Sequence, residues 1–359
     1  MARIHNFGAG PAALPLPVLQ EMQAELLDFR KTGMSILESS HRSKPFEAVI
    51  QSAESRVRRL LNIGDDYAVL FLQGGASLQF AMVPMNLLGG GTADYIDTGY
   101  WSIKALKEAK FFGTVNVPYS GKGTNYTHLP TEEELLLTEG AQYVHLTSNN
   151  TIAGTQYASF PRTETPLVAD MSSDILSRPF DVGPFGLIYA GAQKNLGPSG
   201  ITLVILRKDL AEHVPDTVPL ILRYQTHIEA DSLYHTPPTL AVWAVDLVCA
   251  WIEKEGGLAA MEQRNKQKSD ALYASIDASE GFYSSPVERA ARSKMNVVFR
   301  LPSEELEAKF LSEAAVRGLS GLKGHRSVGG MRASLYNAVE PASVRALVDF
   351  MADFAARNG

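Results

Sequence analysis

The chain has 359 residues, of which 45% are hydrophobic and 20% charged, and a formal net charge of −6. That length allows a large core and favours one large domain with a smaller one. The negative charge argues against nucleic acid or an anionic membrane as the main partner, because both prefer a basic surface. The single cysteine, Cys249, excludes an internal disulfide or a cysteine-based metal site, and fits a reducing compartment.

The sequence predicts neither a signal peptide nor a membrane span. The opening segment MARIHNFGAGPAALP lacks a basic region followed by an apolar core. No run of about 18 apolar residues occurs. We therefore expect a cytoplasmic protein without a metal site.

Short apolar runs between residues 65 and 210 predict strands that alternate with amphipathic helices. Several runs are apolar on both faces, as expected where helices cover a sheet on both sides. The alternation predicts an α/β domain with a mainly parallel seven-stranded sheet. The predicted strands are 67–72, 93–97, 114–118, 143–147, 166–170, 187–190 and 201–206, with helices over 77–88 and 101–112.

The last third of the chain changes character after a buried helix over 239–254, which holds Cys249 as an inert core residue. We expect a large domain over 16–260 and a smaller α/β C-terminal domain over 261–359, completed by the segment 1–15. The elements predicted for the smaller domain are helices over 262–277, 304–318 and 341–358 and strands over 295–301 and 330–336.

Asp170 and Lys194 each follow an apolar run, in PLVAD and in YAGAQKNLGPSG. In open α/β sheets, ligands bind where such strands end. Asp170 could equally cap a helix, and Lys194 could lie in a surface loop. Adjacent strands, however, would bring both side chains to one crevice. Pyridoxal phosphate needs that pair, because lysine forms its Schiff base and aspartate keeps its pyridine nitrogen protonated.

A candidate phosphate site lies in LFLQGGASLQF, where a strand, Gly74-Gly75 and a helix starting near Ser77 follow one another. Free backbone N–H groups at a helix N-terminus form an anion site. Glycine turns at such junctions are common, and the pattern matches neither dinucleotide-binding nor Walker motifs. Two further candidates are Trp101 in TGYWS, either a core residue or the wall for a flat ring, and Thr151 in SNNTIAGTQ, either a turn residue or a partner for a phenolic oxygen.

These motifs together resemble the phosphoserine aminotransferases, pyridoxal-phosphate enzymes of class V with the type I transferase fold. The resemblance runs almost end to end. It rests on FGAGPAALP, GMSILESSHRS, LQGGASLQF, TGYWS, VADMSSD, AGAQKNLGPSG, YHTPPT and GHRSVGGMRASLYNA.

The resemblance implies one pyridoxal 5′-phosphate per subunit of a homodimer. It assigns the Schiff base and the proton transfer to Lys194, the pyridine nitrogen to Asp170, ring stacking to Trp101 and the phenolate oxygen to Thr151. The residues that it assigns to the cofactor phosphate are Ala76, Ser77 and Gln193, with His235 and Thr236 from the partner subunit.

Cations for an anionic substrate occur as His-Arg-Ser at 41–43 and 325–327, and as Arg332. Arginine binds carboxylate and phosphate in a bidentate manner, although each of these residues could also be a solvated surface charge. The resemblance assigns Arg332 to the substrate α-carboxylate. It assigns the phosphate pocket to His41, Arg42, His325 and Arg326, some of them from the neighbouring chain.

Three positions depart from the pattern of many relatives. Ala9 replaces a serine, Ser77 stands where some relatives have arginine, and His235 replaces an asparagine. Any contact made by those side chains in relatives must therefore be made differently here.

The resemblance implies amino transfer between glutamate and 3-phosphohydroxypyruvate, giving 2-oxoglutarate and O-phosphoserine in serine biosynthesis. It leaves two questions open: the use of phosphohydroxythreonine in vitamin B6 synthesis, and the physiological direction of the reaction.

Three other functions were considered. A cysteine desulfurase would need a mobile cysteine, which Cys249 is not expected to be. A glyoxylate aminotransferase would differ by accepting an unphosphorylated acceptor. A non-enzymatic nucleotide-binding module would leave Asp170 and Lys194 without a role.

Overall fold

The structure, a computed structural model, describes residues 3–212 and 214–359. In chain order, the strands of this part are β1 His5–Asn6, β2 Tyr67–Leu72, β3 Thr92–Tyr95, β4 Thr114–Asn116, β5 Val144–Thr147, β6 Asn149–Asn150, β7 Thr155–Gln156, β8 Leu167–Asp170, β9 Phe185–Gly191, β10 Thr202–Arg207, β11 Asn296–Phe299, β12 Leu319–Ser320 and β13 Met331–Ser334. The α-helices are α1 Leu16–Glu25, α2 Lys44–Leu61, α3 Gly75–Leu87, α4 Tyr100–Ala109, α5 Tyr224–Glu229, α6 Thr239–Lys254, α7 Gly257–Asp277, α8 Glu304–Val316 and α9 Pro341–Asn358. None of the helices within these ranges combines the length and hydropathy that a bilayer crossing requires.

A seven-stranded sheet forms the centre of the molecule, in the order β2-β10-β9-β8-β5-β3-β4. β10 is antiparallel to both of its neighbours, β2 and β9. The remaining pairs are parallel. The predicted mainly parallel sheet is confirmed, and every strand except β10 runs toward the same edge.

The two faces of the sheet are buried against different helices, as the two-residue period of a strand requires. Val69 and Phe71 of β2 belong to one core cluster with residues of α2 and α6. Leu70 and Leu72 face the other way and join a cluster with residues of α3 and α4. Cys249 of α6 lies in the first cluster and is fully buried, and burial raises the pKa of its thiol. The prediction of an inert core cysteine is confirmed by this burial.

A separate hydrophobic cluster lies in the C-terminal part of the chain, between α7, α8 and α9 and the antiparallel pair β11–β13. Phe7 contributes to this cluster, and β1 pairs in parallel with β12. These contacts support the expected smaller domain completed by the N-terminal segment, whose boundaries stay a prediction.

Candidate active site

Asp170 and Lys194 reach one cavity because their strands are neighbours. β8 ends at Asp170, and β9, which pairs with it in parallel, ends at Gly191 just before Lys194. The cavity at this edge of the sheet has a volume of about 420 Å³. The predicted residues that line it are Ala76, Ser77, Trp101, Thr151, Asp170, Gln193, Lys194, His325 and Arg332.

The carboxylate of Asp170 is buried and held in a fixed orientation. Its Oδ1 accepts hydrogen bonds from the backbone N–H of Ser172 at 2.9 Å and from the Ser172 hydroxyl at 2.6 Å. The same hydroxyl accepts a hydrogen bond from the N–H of Gly191 at 3.0 Å. Ser172 therefore joins the ends of β8 and β9. Ser172 was not among the predicted site residues, although its place two residues after a strand-ending aspartate is typical of an Asx turn.

Lys194 lies half-buried beside Trp101, with its Nζ 5.6 Å from the centre of the indole ring. Burial lowers the pKa of its amine, and the nearby Arg332 lowers it further, while attraction to Asp170 acts in the opposite direction. A lowered pKa increases the fraction of neutral amine, which is the nucleophilic form. The surroundings of Lys194 therefore favour covalent chemistry.

Trp101 and Thr151 form one hydrogen-bonded wall of the cavity. The indole Nε1 donates to the Thr151 hydroxyl at 3.1 Å. Arg332 in β13 donates from Nη1 to the Thr151 backbone carbonyl at 2.9 Å. Thr151 itself lies in the turn between β6 and β7. This short hairpin therefore contacts both Trp101 and Arg332.

A candidate anion cradle lies where β2 leads into α3. Gly74 has a φ of 91°, and a Cβ there would lie 2.5 Å from the side chain of Leu78, so only glycine fits. The first N–H groups of α3 have no partner within the helix and carry the positive end of its dipole. A Cβ on Gly191 would lie 3.4 Å from both the Ala76 nitrogen and Gln193 Oε1. Glycine at 191 thus keeps the space between these two groups free of a side chain.

An arginine and a histidine close the opposite part of the cavity. Arg332 has its Nε buried without a partner among the described residues, and burial lowers the pKa of its guanidinium. His325 shares a hydrogen bond of 2.7 Å with the Ser327 hydroxyl, and burial, with Arg332 and Arg326 nearby, lowers the pKa of its ring. Arg332 therefore supplies the permanent charge, with donor capacity left for an anion.

The N-terminal segment covers the cavity next to Lys194. Ala9 and Gly10 line the cavity, and the Ala9 carbonyl accepts a hydrogen bond from the Tyr336 hydroxyl at 2.9 Å. A Cβ on Gly10 would lie 3.5 Å from Cγ of Lys194. A contact of this length is ordinary, and the φ of 142° is what favours glycine at position 10.

Other predicted residues lie outside this cavity in the single chain. His41 Nδ1 and the Thr236 hydroxyl share a hydrogen bond of 3.1 Å. His235 Nε2 lies 2.8 Å from the side-chain amide of Gln73, which also donates to the Thr236 carbonyl. Arg42 and Arg326 are exposed. The expectation that some of these residues act in a neighbouring subunit stays a prediction. No group of three or more His, Cys, Asp and Glu side chains suited to a metal occurs in residues 3–212 and 214–359.

Comparison with known proteins identifies the family. The profile of the class-V aminotransferases matches residues 4–347. The phosphoserine aminotransferase of Geobacillus kaustophilus is 59% identical over 358 residues, covering 99% of each chain. The crystallised phosphoserine aminotransferase of Bacillus circulans subsp. alkalophilus superposes with a TM-score of 0.98 at 53% identity, covering 99% of each chain. The pyridoxal-phosphate-bound phosphoserine aminotransferase of Trichomonas vaginalis gives 0.93 at 39% identity, covering 98% of this chain and 100% of the other. The chain therefore belongs to the class-V aminotransferases and, within them, to the phosphoserine aminotransferase family.

Proposed function

We propose that this protein is a pyridoxal-phosphate-dependent aminotransferase. It transfers the amino group between L-glutamate and 3-phosphohydroxypyruvate, giving O-phospho-L-serine and 2-oxoglutarate in a reversible reaction. The observation that carries this proposal is the convergence of Asp170 and Lys194, from adjacent parallel strands, on a cavity with an anion cradle. The names of the relatives support the phosphorylated substrate.

The residues of the cavity fit pyridoxal 5′-phosphate. The cradle of Ala76, Ser77 and Gln193 suits its phosphate, and the oriented carboxylate of Asp170 suits its protonated pyridine nitrogen. When bound, this cofactor supplies a carbonyl that links to lysine and a ring that withdraws electrons from the substrate α-carbon.

The chain's own groups then move and hold the protons. Lys194 Nζ would accept the proton from the substrate α-carbon as general base and then release it, as general acid, to the carbon that takes over the amino group. Asp170 keeps the ring nitrogen protonated. Trp101 covers one face of the ring and excludes water from it, while the Thr151 hydroxyl donates to the phenolate oxygen.

The substrate is held by cations placed locally, since the chain as a whole is negatively charged. Arg332 binds the α-carboxylate that glutamate and phosphoserine share. His325 and Arg326, which follow one another in the loop before β13, bind the substrate phosphate with His41 and Arg42 of the neighbouring subunit.

A homodimer completes the site. The segment that precedes His41 exposes several large apolar side chains, with Leu27 86% and Leu37 61% exposed. The Thr239 hydroxyl at the start of α6 donates to the Ile36 carbonyl at 2.9 Å and ties this segment to the helix. Such an exposed apolar surface favours association with a second copy. In the dimer, His235 and Thr236 reach the phosphate of the partner's cofactor.

This activity belongs to serine biosynthesis, and we propose a cytoplasmic location, which the single buried cysteine supports. The same cavity could be tested with 4-phosphohydroxythreonine, whose phosphate and α-amino acid group are chemically alike.

An absorbance titration of the purified protein tests the proposal. We expect O-phosphoserine to convert the visible band of the bound cofactor at concentrations far below those required for serine. As amino acceptors, 3-phosphohydroxypyruvate should be preferred over hydroxypyruvate and glyoxylate. An equal response to serine and phosphoserine would instead indicate a glyoxylate-type aminotransferase, and a colourless protein would refute the proposed cofactor.

A further inference from the structure

Three asparagines from separate parts of the chain bind three consecutive backbone carbonyls. Asn195 Nδ2 donates to the carbonyl of residue 175 at 3.2 Å. Asn337 Nδ2 donates to that of residue 176 at 2.8 Å, and Asn265 Nδ2 to that of residue 177 at 3.1 Å. We call Asn195, Asn265 and Asn337 the asparagine clamp.

The three members of the asparagine clamp are also bonded to one another. The backbone N–H of Asn337 donates to Asn195 Oδ1 at 2.9 Å, and Asn265 Nδ2 donates to Asn337 Oδ1 at 2.8 Å. Their exposed fractions are 6% for Asn195 and 1% for the other two. A buried hydrogen-bond network is rigid, because breaking any one bond leaves a polar group without water or partner.

The clamped segment 175–177 needs such support. Leu176 has a φ of 58°, a left-handed conformation that a residue with a branched side chain rarely adopts. The segment follows Ser172, whose two hydrogen bonds orient Asp170. Holding 175–177 therefore fixes the loop that presents Asp170.

The asparagine clamp also holds the loop that carries Lys194. Asn195 is the residue directly after Lys194, and its side chain bonds both the 175 carbonyl and the Asn337 backbone. The loop after Asp170 and the residue after Lys194 are thus joined by one side chain.

Helix α7 anchors the end of the network that lies next to Asn337. The buried Lys268 of α7 donates from Nζ to the carbonyls of Leu335 at 2.7 Å and Tyr336 at 2.8 Å, immediately before Asn337. Tyr336 in turn donates to the Ala9 carbonyl over the cavity. Segment 335–337 therefore connects α7, the N-terminal segment and the loop after β9 that holds Lys194 and Asn195.

We infer that the asparagine clamp sets the position of the Lys194 amine relative to Asp170, with Asn195 as its central positioning residue. This inference rests on the proposed role of Lys194. A displaced amine would slow proton transfer without weakening substrate binding, because none of the three asparagines lines the cavity.

Alanine substitutions in the holoenzyme test the clamp. For Asn195→Ala we expect kcat to fall about tenfold with KM within about twofold of the wild-type value. The pH midpoint of the cofactor's visible band should move by about half a unit or more. Asn337→Ala, which keeps its backbone bond to Asn195, should show the same changes to a smaller extent.

Asn86→Ala is the matched control. Asn86 is 1% exposed, donates to the carbonyls of Met82 and Leu222, and accepts from the N–H of Tyr224, away from the cavity. Its loss should lower the melting temperature and leave kcat and the band midpoint unchanged.

The inference is overturned if the clamp variants lose only thermal stability, as the Asn86 control does. If Asn195→Ala fails to fold, Asn337→Ala decides alone. A wild-type protein without a visible band would refute the proposed function instead, so the two failures are distinguishable.

Discussion

The indole nitrogen of Trp101 donates a hydrogen bond to the hydroxyl of Thr151 across 3.1 Å. The two residues come from the start of α4 and from the β6–β7 turn, so the bond joins two loops that are separate in sequence. The flat wall of the cavity and the hydroxyl on its rim are consequently oriented as one unit.

Thr151→Val keeps the shape of the side chain and removes the hydroxyl. We expect the cofactor to bind roughly 5- to 30-fold more weakly, because the indole N–H and the proposed phenolate contact both lose a partner worth about 1 kcal/mol each. Titration of the apoprotein with pyridoxal phosphate, followed by tryptophan fluorescence, measures this. Thr151→Ser, which keeps the hydroxyl, is the control, and equal affinity of the valine variant would contradict the assigned contact.

Lys194→Ala should abolish aminotransferase activity and the borohydride-sensitive visible band, because no other amine replaces its Nζ. Lys104→Ala is the matched control: its Nζ also lies near the Trp101 ring, at 5.3 Å, but the side chain is exposed and does not line the cavity. The control should keep both the band and the activity. A reducible band that survives in Lys194→Ala would contradict the assignment of the Schiff base to Lys194.

Arg332→Lys retains a positive charge but loses the fork that binds a carboxylate in a bidentate manner. We expect KM to rise about ten- to a hundredfold for glutamate and for phosphoserine alike, since both carry the α-carboxylate. Steady-state kinetics with each substrate, beside the exposed Arg345→Lys as control, measures the change. An effect confined to phosphoserine would reassign Arg332 to the substrate phosphate.

Leu27→Glu should dissociate the proposed homodimer and weaken cofactor binding, because a charge in an apolar interface lacks a partner. Val316→Glu is the control, with a side chain 87% exposed against 86% for Leu27 but on the distant α8. Sedimentation velocity distinguishes the two variants. A monomeric wild-type protein with full cofactor affinity would rule out the shared site.

His145 predicts a pH dependence of stability. Burial lowers the pKa of its ring to about 3, and it stacks on Tyr95 and shares a 2.8 Å hydrogen bond with Tyr189. Since the unfolded ring takes up a proton near pH 6.5, the stability that the neutral ring contributes is complete above pH 6.5 and is lost as the pH falls toward 3.

His145→Gln removes this titration. Between about pH 7.5 and about pH 5, the wild-type free energy of unfolding should therefore decrease more steeply than that of the variant, by an amount on the order of 1 kcal/mol or more. Urea unfolding at several pH values measures both slopes. Parallel slopes would show that His145 does not titrate differently on folding.

The seven strands could be predicted because each is a short apolar run that the sheet buries on both faces. The meeting of Asp170 and Lys194 followed from their places after successive strands, although their roles stay predictions. The strand order and the reversed direction of β10 could not be predicted, because an apolar run carries no information about which neighbour it pairs with.

Polar residues in loops were harder to interpret. Ser172, Asn195 and Asn337 lie among small and polar residues that are equally typical of ordinary turns, and only the three-dimensional contacts distinguish them. Conversely, His41 was expected in the substrate phosphate pocket and Thr236 at the cofactor phosphate, yet in one chain their side chains bond to each other. Contacts between two subunits leave no periodic pattern in the sequence.

The position of the antiparallel strand β10 has a mechanical consequence. Thr202 at its start is paired on one side with Leu72, just before the anion cradle, and on the other with Gly191, just before the lysine loop. A cofactor bound to both the anion cradle and Lys194 would span the three hydrogen-bonded strands β2, β10 and β9 at the level of Thr202. It would cross-link the ends of these strands. Local unfolding of the strand ends and release of the cofactor would then become one cooperative event.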